Sequence, residues 1–218
     1  MQFSRTVFYQ SMPDDVYEQN ARKRGFRFVI GIDEAGRGPL AGPVSVAAVR
    51  LGSDAVFEGL NDSKKLSEKK RELIFAEIMN CEAVEWSHSF AETKEIDEIN
   101  ILRATEAAMA RTATQLSEAD YALIDGRPVK GFPIASEGIV KGDSKSLSIA
   151  AASVIAKVLR DRRMVEWDAE YPEYGFAKHK GYGTKVHLEA LRKYGPCPIH
   201  RRSFAPVAEA ERVFGQRG

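Results

Sequence analysis

Phe26–Pro43 reads FRFVIGIDEAGRGPLAGP, and the change of character halfway along it decides the fold. Phe26–Ile32 is an apolar run that predicts a strand. It enters directly on two acids, Asp33 and Glu34, and then on a stretch punctuated by Gly36, Gly38, Pro39, Gly42 and Pro43, which reads as a loop. A carboxylate at a strand's end is held by stiff backbone yet projects into the crevice above a sheet, where α/β proteins bind ligands.

Working outward, Val44–Leu51 (VSVAAVRL) predicts a second strand. Ala83–Phe90 alternates in period two, with Val84, Trp86, His88 and Phe90 on one face. Tyr121–Ile124 (YALI) is a short continuous apolar run suited to a strand buried on both faces, and it ends at Asp125-Gly126. Ile134–Val140 predicts a further strand before Lys141-Gly142-Asp143. A helix is expected near Asp14–Arg24, closed by Gly25. Ser67 is the expected N-cap of another, with Leu73, Ile74 and Ile78 inward. A long helix should run from about Thr93 to Leu116, with Ile99, Leu102 and Met109 among its apolar positions. SKSLSIAAASVIAKVLRDRR, at 144–163, is the strongest helical signal, and its small residues would let a helix backbone lie close to a sheet. A last helix spans about Lys185–Tyr194, closed by Gly195. Early antiparallel-looking strands, later strand–helix alternation and no linker predict one α/β domain with a mixed central sheet.

Composition narrows the function. Across 218 residues, 32 Lys+Arg face 31 Asp+Glu, so attraction to a polyanion must come from a local patch. Cys81 and Cys197 cannot form a disulfide framework and suit a reducing compartment. The first residues lack the apolar core of a secretory signal, and no apolar run approaches the ~20 residues that cross a bilayer. A cytoplasmic protein with no membrane partner is expected.

The acids carry the chemistry. Asp33 and Glu34 end one strand, Asp125 ends another, and Asp143 precedes the alanine-rich helix. Magnesium or manganese takes hard oxygen ligands of this kind. Two such ions ~4 Å apart can activate a water and stabilise a leaving oxygen in phosphodiester cleavage. Taken singly, each acid has an ordinary explanation as a strand end or helix cap, and spacing alone does not show that they converge. His88 reads as a core histidine, while His179, His187 and His200 lie in a basic stretch where phosphate is within reach. No zinc spacing, Ser-His-Asp grouping or phosphate-binding loop occurs.

Taken together, the blocks GIDEAGRGPLAGPV (31–44), LNDSKKLSEKKRE (60–72), EIDEINILRATEAAM (95–109), LIDG (123–126), KGDSKSLSIAAASVIAKVLRDR (141–162) and HKGYGTKVHLEALRKYGPCPIHRRSF (179–204) resemble the ribonuclease HII family. The resemblance covers roughly residues 28–206 in order. It implies an RNase H-like fold, a mixed central β-sheet flanked by helices, with a C-terminal helical portion that binds substrate. An N-terminal extension at 1–27 and a tail at 207–218 would flank it. It also implies endonucleolytic cutting of RNA in RNA–DNA hybrids and on the 5′ side of ribonucleotides embedded in duplex DNA. The products would be a 3′-hydroxyl and a 5′-phosphate, in the service of removing misincorporated ribonucleotides and RNA primers.

Carried over by position, the resemblance assigns catalysis and metal binding to Asp33, Glu34, Asp125 and Asp143, with Mg2+ or Mn2+ as cofactor, two ions acting when substrate is bound. Gly36, Arg37 and Gly38 would read the ribose 2′-hydroxyl through backbone groups, the feature that separates RNA from DNA. Tyr182 would pack against the deoxyribose on the 3′ side of the cut. Among the basic residues, Lys64, Lys180 and Arg201 are the expected phosphate contacts, while Lys69 and Lys70 read as a solvated face. The tail VAEAERVFGQRG carries no convincing clamp-binding motif, so no protein partner is expected, and the compact length favours a monomer. The other readings are a binding module that lost its chemistry, a DNA-directed nuclease of similar fold, and a phosphotransferase. Intact acids, the Gly36–Gly38 and Tyr182 motifs, and the missing phosphate loop speak against each in turn.

Overall fold

The computed structural model describes residues 12–216. Five strands, β1 (Val29–Ala35), β2 (Val44–Leu51), β3 (Val84–Ala91), β4 (Tyr121–Asp125) and β5 (Ala135–Ile139), form one sheet in the order β3-β2-β1-β4-β5. β1 pairs antiparallel with β2, and β2 with β3, while β4 and β5 add in parallel on the other side. The sheet is therefore mixed, as expected from the sequence. Parallel pairing sets Ile32 opposite Ile124, so Asp33 and Asp125 follow one another out of the same end of two neighbouring strands.

Both faces of the central strands are covered. On one face, α3 (Thr93–Gln115) buries Ala104, Ala108 and Met109 against Ile30, Ile32, Val46 and Ile124. On the other, α4 (Leu147–Glu170) and α2 (Glu68–Met79) bury Ala150, Ala151, Val154, Ile74 and Ile78 against Ala47 and Val49. The small residues of α4 do what their size suggests. A Cβ placed on Gly31 would fall 2.3 Å from the Ile149 nitrogen, so β1 and the start of α4 touch backbone to backbone. Ser146 caps α4, accepting from the Ile149 amide at 3.2 Å, and Ser67 caps α2, accepting from the Lys70 amide at 3.3 Å. The sequence's N-terminal helix is α1 (Val16–Lys23), and the part of the extension before Met12 lies outside the described residues. The Leu147 amide donates to the Asp14 carbonyl and the Asp14 amide to the Lys145 carbonyl, both at 3.0 Å, tying the extension to the start of α4.

Several details depart from expectation. The long helix is broken at Asn100 (φ 69°, ψ 163°), whose Oδ1 accepts from the amides of Leu102 and Arg103 at 3.0 and 3.1 Å and so caps a second helix inside the first. The break leaves Ile99 and Leu102 exposed rather than in the core. Leu73 likewise faces solvent on α2. β3 is an edge strand, so its alternating face is partly open and Trp86 lies in solvent. After the short α5 (Phe176–His179) come α6 (Lys185–Tyr194) and α7 (Ala205–Gly215), and Val207 and Ala210 of α7 are buried against Leu191 of α6. Among the described residues no helix is long and apolar enough to cross a membrane.

Candidate active site

Strand alternation sorts the acids. Ile30 and Ile32 face α3, so Gly31 and Asp33 face α4. On β4, Ile124 faces α3 and Asp125 returns to the α4 side. Asp143 arrives on a short 3-10 turn (Gly142–Ser144) directly ahead of α4, and the Gly142 amide donates to Asp125 Oδ1 at 2.7 Å. Carboxylate oxygens of Asp33, Asp125 and Asp143 all lie within 4.8 Å of one another. Glu34, the fourth expected acid, is outside that trio. It pairs with Arg37 at 3.4 Å and borders the clefts on both sides of the strand end.

Converging acids repel, and the site shows it. Asp33 is 2% exposed. Burial raises its carboxyl pKa well above the ordinary range, the charges of Glu34 and Asp125 raise it further, and the Glu34 amide and Lys64 pull it back. Burial also raises the pKa of Glu34, opposed by Arg37, and that of Asp143, which Asp125 and Asp62 push in the same direction against Lys64. Lys64 Nζ stands 3.5 Å from Asp143. Partial burial acts to lower its pKa, but Asp33, Asp143, Asp62 and Asp125 outweigh that and hold it above the usual value. Three close oxygen donors carrying this electrostatic tension fit a divalent cation, which would offset the repulsion.

Beside the acids runs a cleft of about 420 Å3, bordered by Glu34, Gly36–Gly38, Lys64 and Tyr182. Tyr182 is 46% exposed, and a Cβ on Gly38 would sit 3.6 Å from its ring. The loop is held from beneath by two arginines. Arg160 donates to the carbonyls of Pro43, Lys180 and Ala41 at 3.1, 3.0 and 3.2 Å. Arg201 donates to those of Gly36, Arg37, Pro39 and Gly42 at 2.6, 2.9, 2.8 and 2.9 Å. Gly36 sits at φ +96°, and a Cβ there would fall 1.8 Å from Arg160 Nε. Gly36→Ala therefore combines backbone strain with displacement of a buried guanidinium. We expect it to lower stability by about 2–4 kcal/mol in thermal melts and to depress cleavage, whereas Gly126→Ala, with open space around its Cβ, should suffer from backbone strain alone.

These contacts correct part of the sequence reading. Arg201 is fully buried, so the phosphate contact expected of it is not open to it, and its donors are spent on loop carbonyls. Lys180 is half-buried, with its ammonium turned back to the Ala177 carbonyl. His187 and His200 are buried and bonded to each other rather than facing phosphate, and His179 bonds to the Tyr174 carbonyl at 2.8 Å. His88, the expected core histidine, is half-buried and bonds Ser45 at 2.8 Å. Arg160 was hidden in the sequence within RDRR, which reads as helix surface. Asp62 lies beside Asp143 and is signalled only by its place in the Asp62-Ser63-Lys64-Lys65 block.

A mixed sheet in this order, with carboxylates leaving the shared end of β1 and β4, defines an RNase H-like nuclease. The family model for ribonuclease HII matches residues 30–207. The chain belongs to the ribonuclease HII family. A ribonuclease HII of Bacillus licheniformis is 55% identical over 196 residues, 89% of this chain and 76% of that protein. The ribonuclease H2 structure of Pyrococcus horikoshii OT3 superposes with a TM-score of 0.71 at 25% identity, over 87% of this chain and all of that one. The Archaeoglobus fulgidus RNase HII solved in a PCNA complex aligns at 26% identity and a TM-score of 0.68, over 82% and 96% of the two chains.

Proposed function

We propose that this ribonuclease H hydrolyses the RNA strand of RNA–DNA hybrids and cuts on the 5′ side of ribonucleotides embedded in duplex DNA, leaving a 3′-hydroxyl and a 5′-phosphate. The observation that carries the reading is the adjoining of two features: three carboxylates within 4.8 Å of one another, and a cleft where Gly36–Gly38 faces Tyr182. Asp33, Asp125 and Asp143 would hold Mg2+ or Mn2+, with Glu34 completing the set. Such ions supply an activated water and charge neutralisation at the phosphate. Gly36–Gly38 offers backbone with no side chain in the way of a ribose 2′-hydroxyl, and Arg37 extends beside it toward Glu34. The Tyr182 ring offers a flat surface to the next sugar. Lys64, next to Asp143, is placed to neutralise a phosphate that approaches the acids. The work of the chain would be removal of misincorporated ribonucleotides and RNA primers. The Archaeoglobus fulgidus relative was solved in a complex with PCNA, and in this chain Ala205–Gly215 fold into α7.

The test is a labelled DNA duplex carrying one ribonucleotide, incubated with Mg2+ or Mn2+ beside an all-DNA duplex and a long hybrid. Cutting 5′ of the ribonucleotide, abolished by chelator and absent on all-DNA, is the expected result. Cleavage of the all-DNA duplex would overturn the reading. Robust cutting of the hybrid alone would remove the roles given to Gly36–Gly38 and Tyr182.

A further inference from the structure

Behind Tyr182 lies a buried hydrogen-bond chain with a defined direction. His187 Nδ1 is 2.9 Å from the Tyr182 carbonyl, His187 Nε2 is 3.0 Å from His200 Nε2, and His200 Nδ1 is 3.0 Å from the Cys197 amide. The ends fix the protons. A carbonyl only accepts, so His187 carries its proton on Nδ1 and accepts at Nε2. An amide only donates, so His200 accepts at Nδ1 and donates from Nε2. The Cys197 thiol, 3.1 Å from the same Nδ1, is a second donor to it, and burial keeps that thiol protonated by raising its pKa to about 11. Both rings must then be neutral. Burial agrees, lowering the pKa of His187 to about 4 and that of His200 to about 3.

The chain is walled by aromatic rings. Phe176 meets His187 edge-on at 5.4 Å, Tyr174 packs on His200 at 5.0 Å, and His179 stacks on His187 at 4.6 Å. His179 itself accepts from the Gly181 amide at 3.2 Å, so two histidines grip the backbone on which the Tyr182 ring is mounted. At its far end the chain joins the other half of the cleft. Ala41 bridges to His200, the Gly42 amide donates to the Ile199 carbonyl at 2.9 Å, and Arg201, the next residue, holds the Gly36–Gly42 carbonyls.

We propose that His187 and His200 are positioning residues for ribonucleotide recognition: their ordered chain from the Cys197 amide to the Tyr182 carbonyl sets the Tyr182 ring against the Gly36–Gly38 loop. The inference rests on the reading that these two elements grip the sugars at the junction. The segment Cys197–Arg201 is then a common anchor, fixing the loop through Arg201 and the tyrosine through His200.

The experiment uses the full chain with Mg2+ and compares His187→Phe, His187→Asn and Tyr182→Ala on a single embedded ribonucleotide and on a long hybrid. His187→Phe keeps the ring's bulk and loses both bonds. We expect its kcat/KM to fall about 10-fold more on the single ribonucleotide than on the hybrid, since modest misplacement of a positioning group costs this order. His187→Asn can present its amide N–H where Nδ1–H stood, so it should recover most of that loss. Equal loss on both substrates, with Asn no better than Phe, would overturn the proposal. If Tyr182→Ala leaves the substrate preference unchanged, the underlying reading fails. If Tyr182→Ala shifts the preference and a folded His187→Phe does not, the relay alone fails. Ring 15N chemical shifts of the wild-type protein test the chain without any variant. Nδ1–H on His187 and Nε2–H on His200, untitrated from pH 5 to 8, are expected. The opposite tautomers, or an imidazolium at pH 7, would overturn it.

Discussion

Asp33→Asn will sharply reduce cleavage and at the same time make the metal-free protein more stable. The asparagine Oδ1 can still accept from the Glu34 amide, which reaches Asp33 Oδ1 at 2.7 Å, so the local backbone is kept. What disappears is a buried charge facing Glu34 and Asp125. The sign follows from linkage. A carboxyl whose folded pKa lies above its unfolded value favours the folded state at low pH, and that favour is lost as pH rises through the folded value. At neutral pH the acid cluster therefore works against folding. Removing one charge should raise the metal-free Tm by a few degrees, on the order of 1 kcal/mol, and flatten its decline as pH rises above the ordinary carboxylate range. Activity should fall on the order of 10³-fold, equivalent to ~4 kcal/mol of barrier, and Mg2+ or Mn2+ should no longer add to Tm. Calorimetry with and without metal and the single-ribonucleotide assay read both halves. A variant that cuts normally, or that is less stable without metal, would remove Asp33 from the role proposed for it.

Arg201→Met is the second large effect, and it acts on stability. Methionine matches the length of the stem but leaves the carbonyls of Gly36, Arg37, Pro39 and Gly42 without their buried donor. Hydrogen bonds from a charged group are worth roughly 1.5–3 kcal/mol, and abandoned buried acceptors cost about as much again. Allowing for partial relaxation, a loss of about 3–5 kcal/mol is expected, or a Tm lower by ~10 °C or more. Arg202→Met is the matched control. Its ion pair with Glu211 is about half-exposed, and surface pairs of this kind contribute under ~1 kcal/mol. Equal denaturant midpoints for the two variants would show that Arg201 does not hold the loop.

The comparison of neighbouring arginines also explains what the sequence could and could not disclose. Hydrophobic runs ending in acids revealed β1 and β4, because strand burial is written in local composition. The tight seat of α4 was legible in its alanines, and the helix caps in Ser67. Three of the four expected acids do lie together, since the parallel register of β1 and β4 leaves little freedom for Asp33 and Asp125. Glu34 could not be placed from sequence, because a single step along a strand reverses the face. Arg160 and Arg201 were illegible for a different reason. RDRR closes a helical stretch and HRRSF reads as a basic strip for phosphate, and only the tertiary fold supplies the curled carbonyls that make burying a guanidinium tolerable. The histidines were hidden although their partners are near in sequence, the Tyr182 carbonyl for His187, the Cys197 amide for His200 and each ring for the other, because only the folded turns aim the rings at them. The Asn100 break was visible only as an asparagine in a helical pattern, where side-chain capping competes with helix continuation.

The grip of Arg201 on Gly36 has a consequence in time. β1, β2 and β3 are nearest neighbours in sequence and can pair while the rest of the chain is still being made. The carbonyls from Gly36 to Gly42, however, meet their donors only when Arg160 and Arg201 have emerged, 119 residues after Ala41 and 159 after Gly42. A nascent chain on the ribosome thus carries the acids long before it carries a shaped cleft, and the cutting edge is set last.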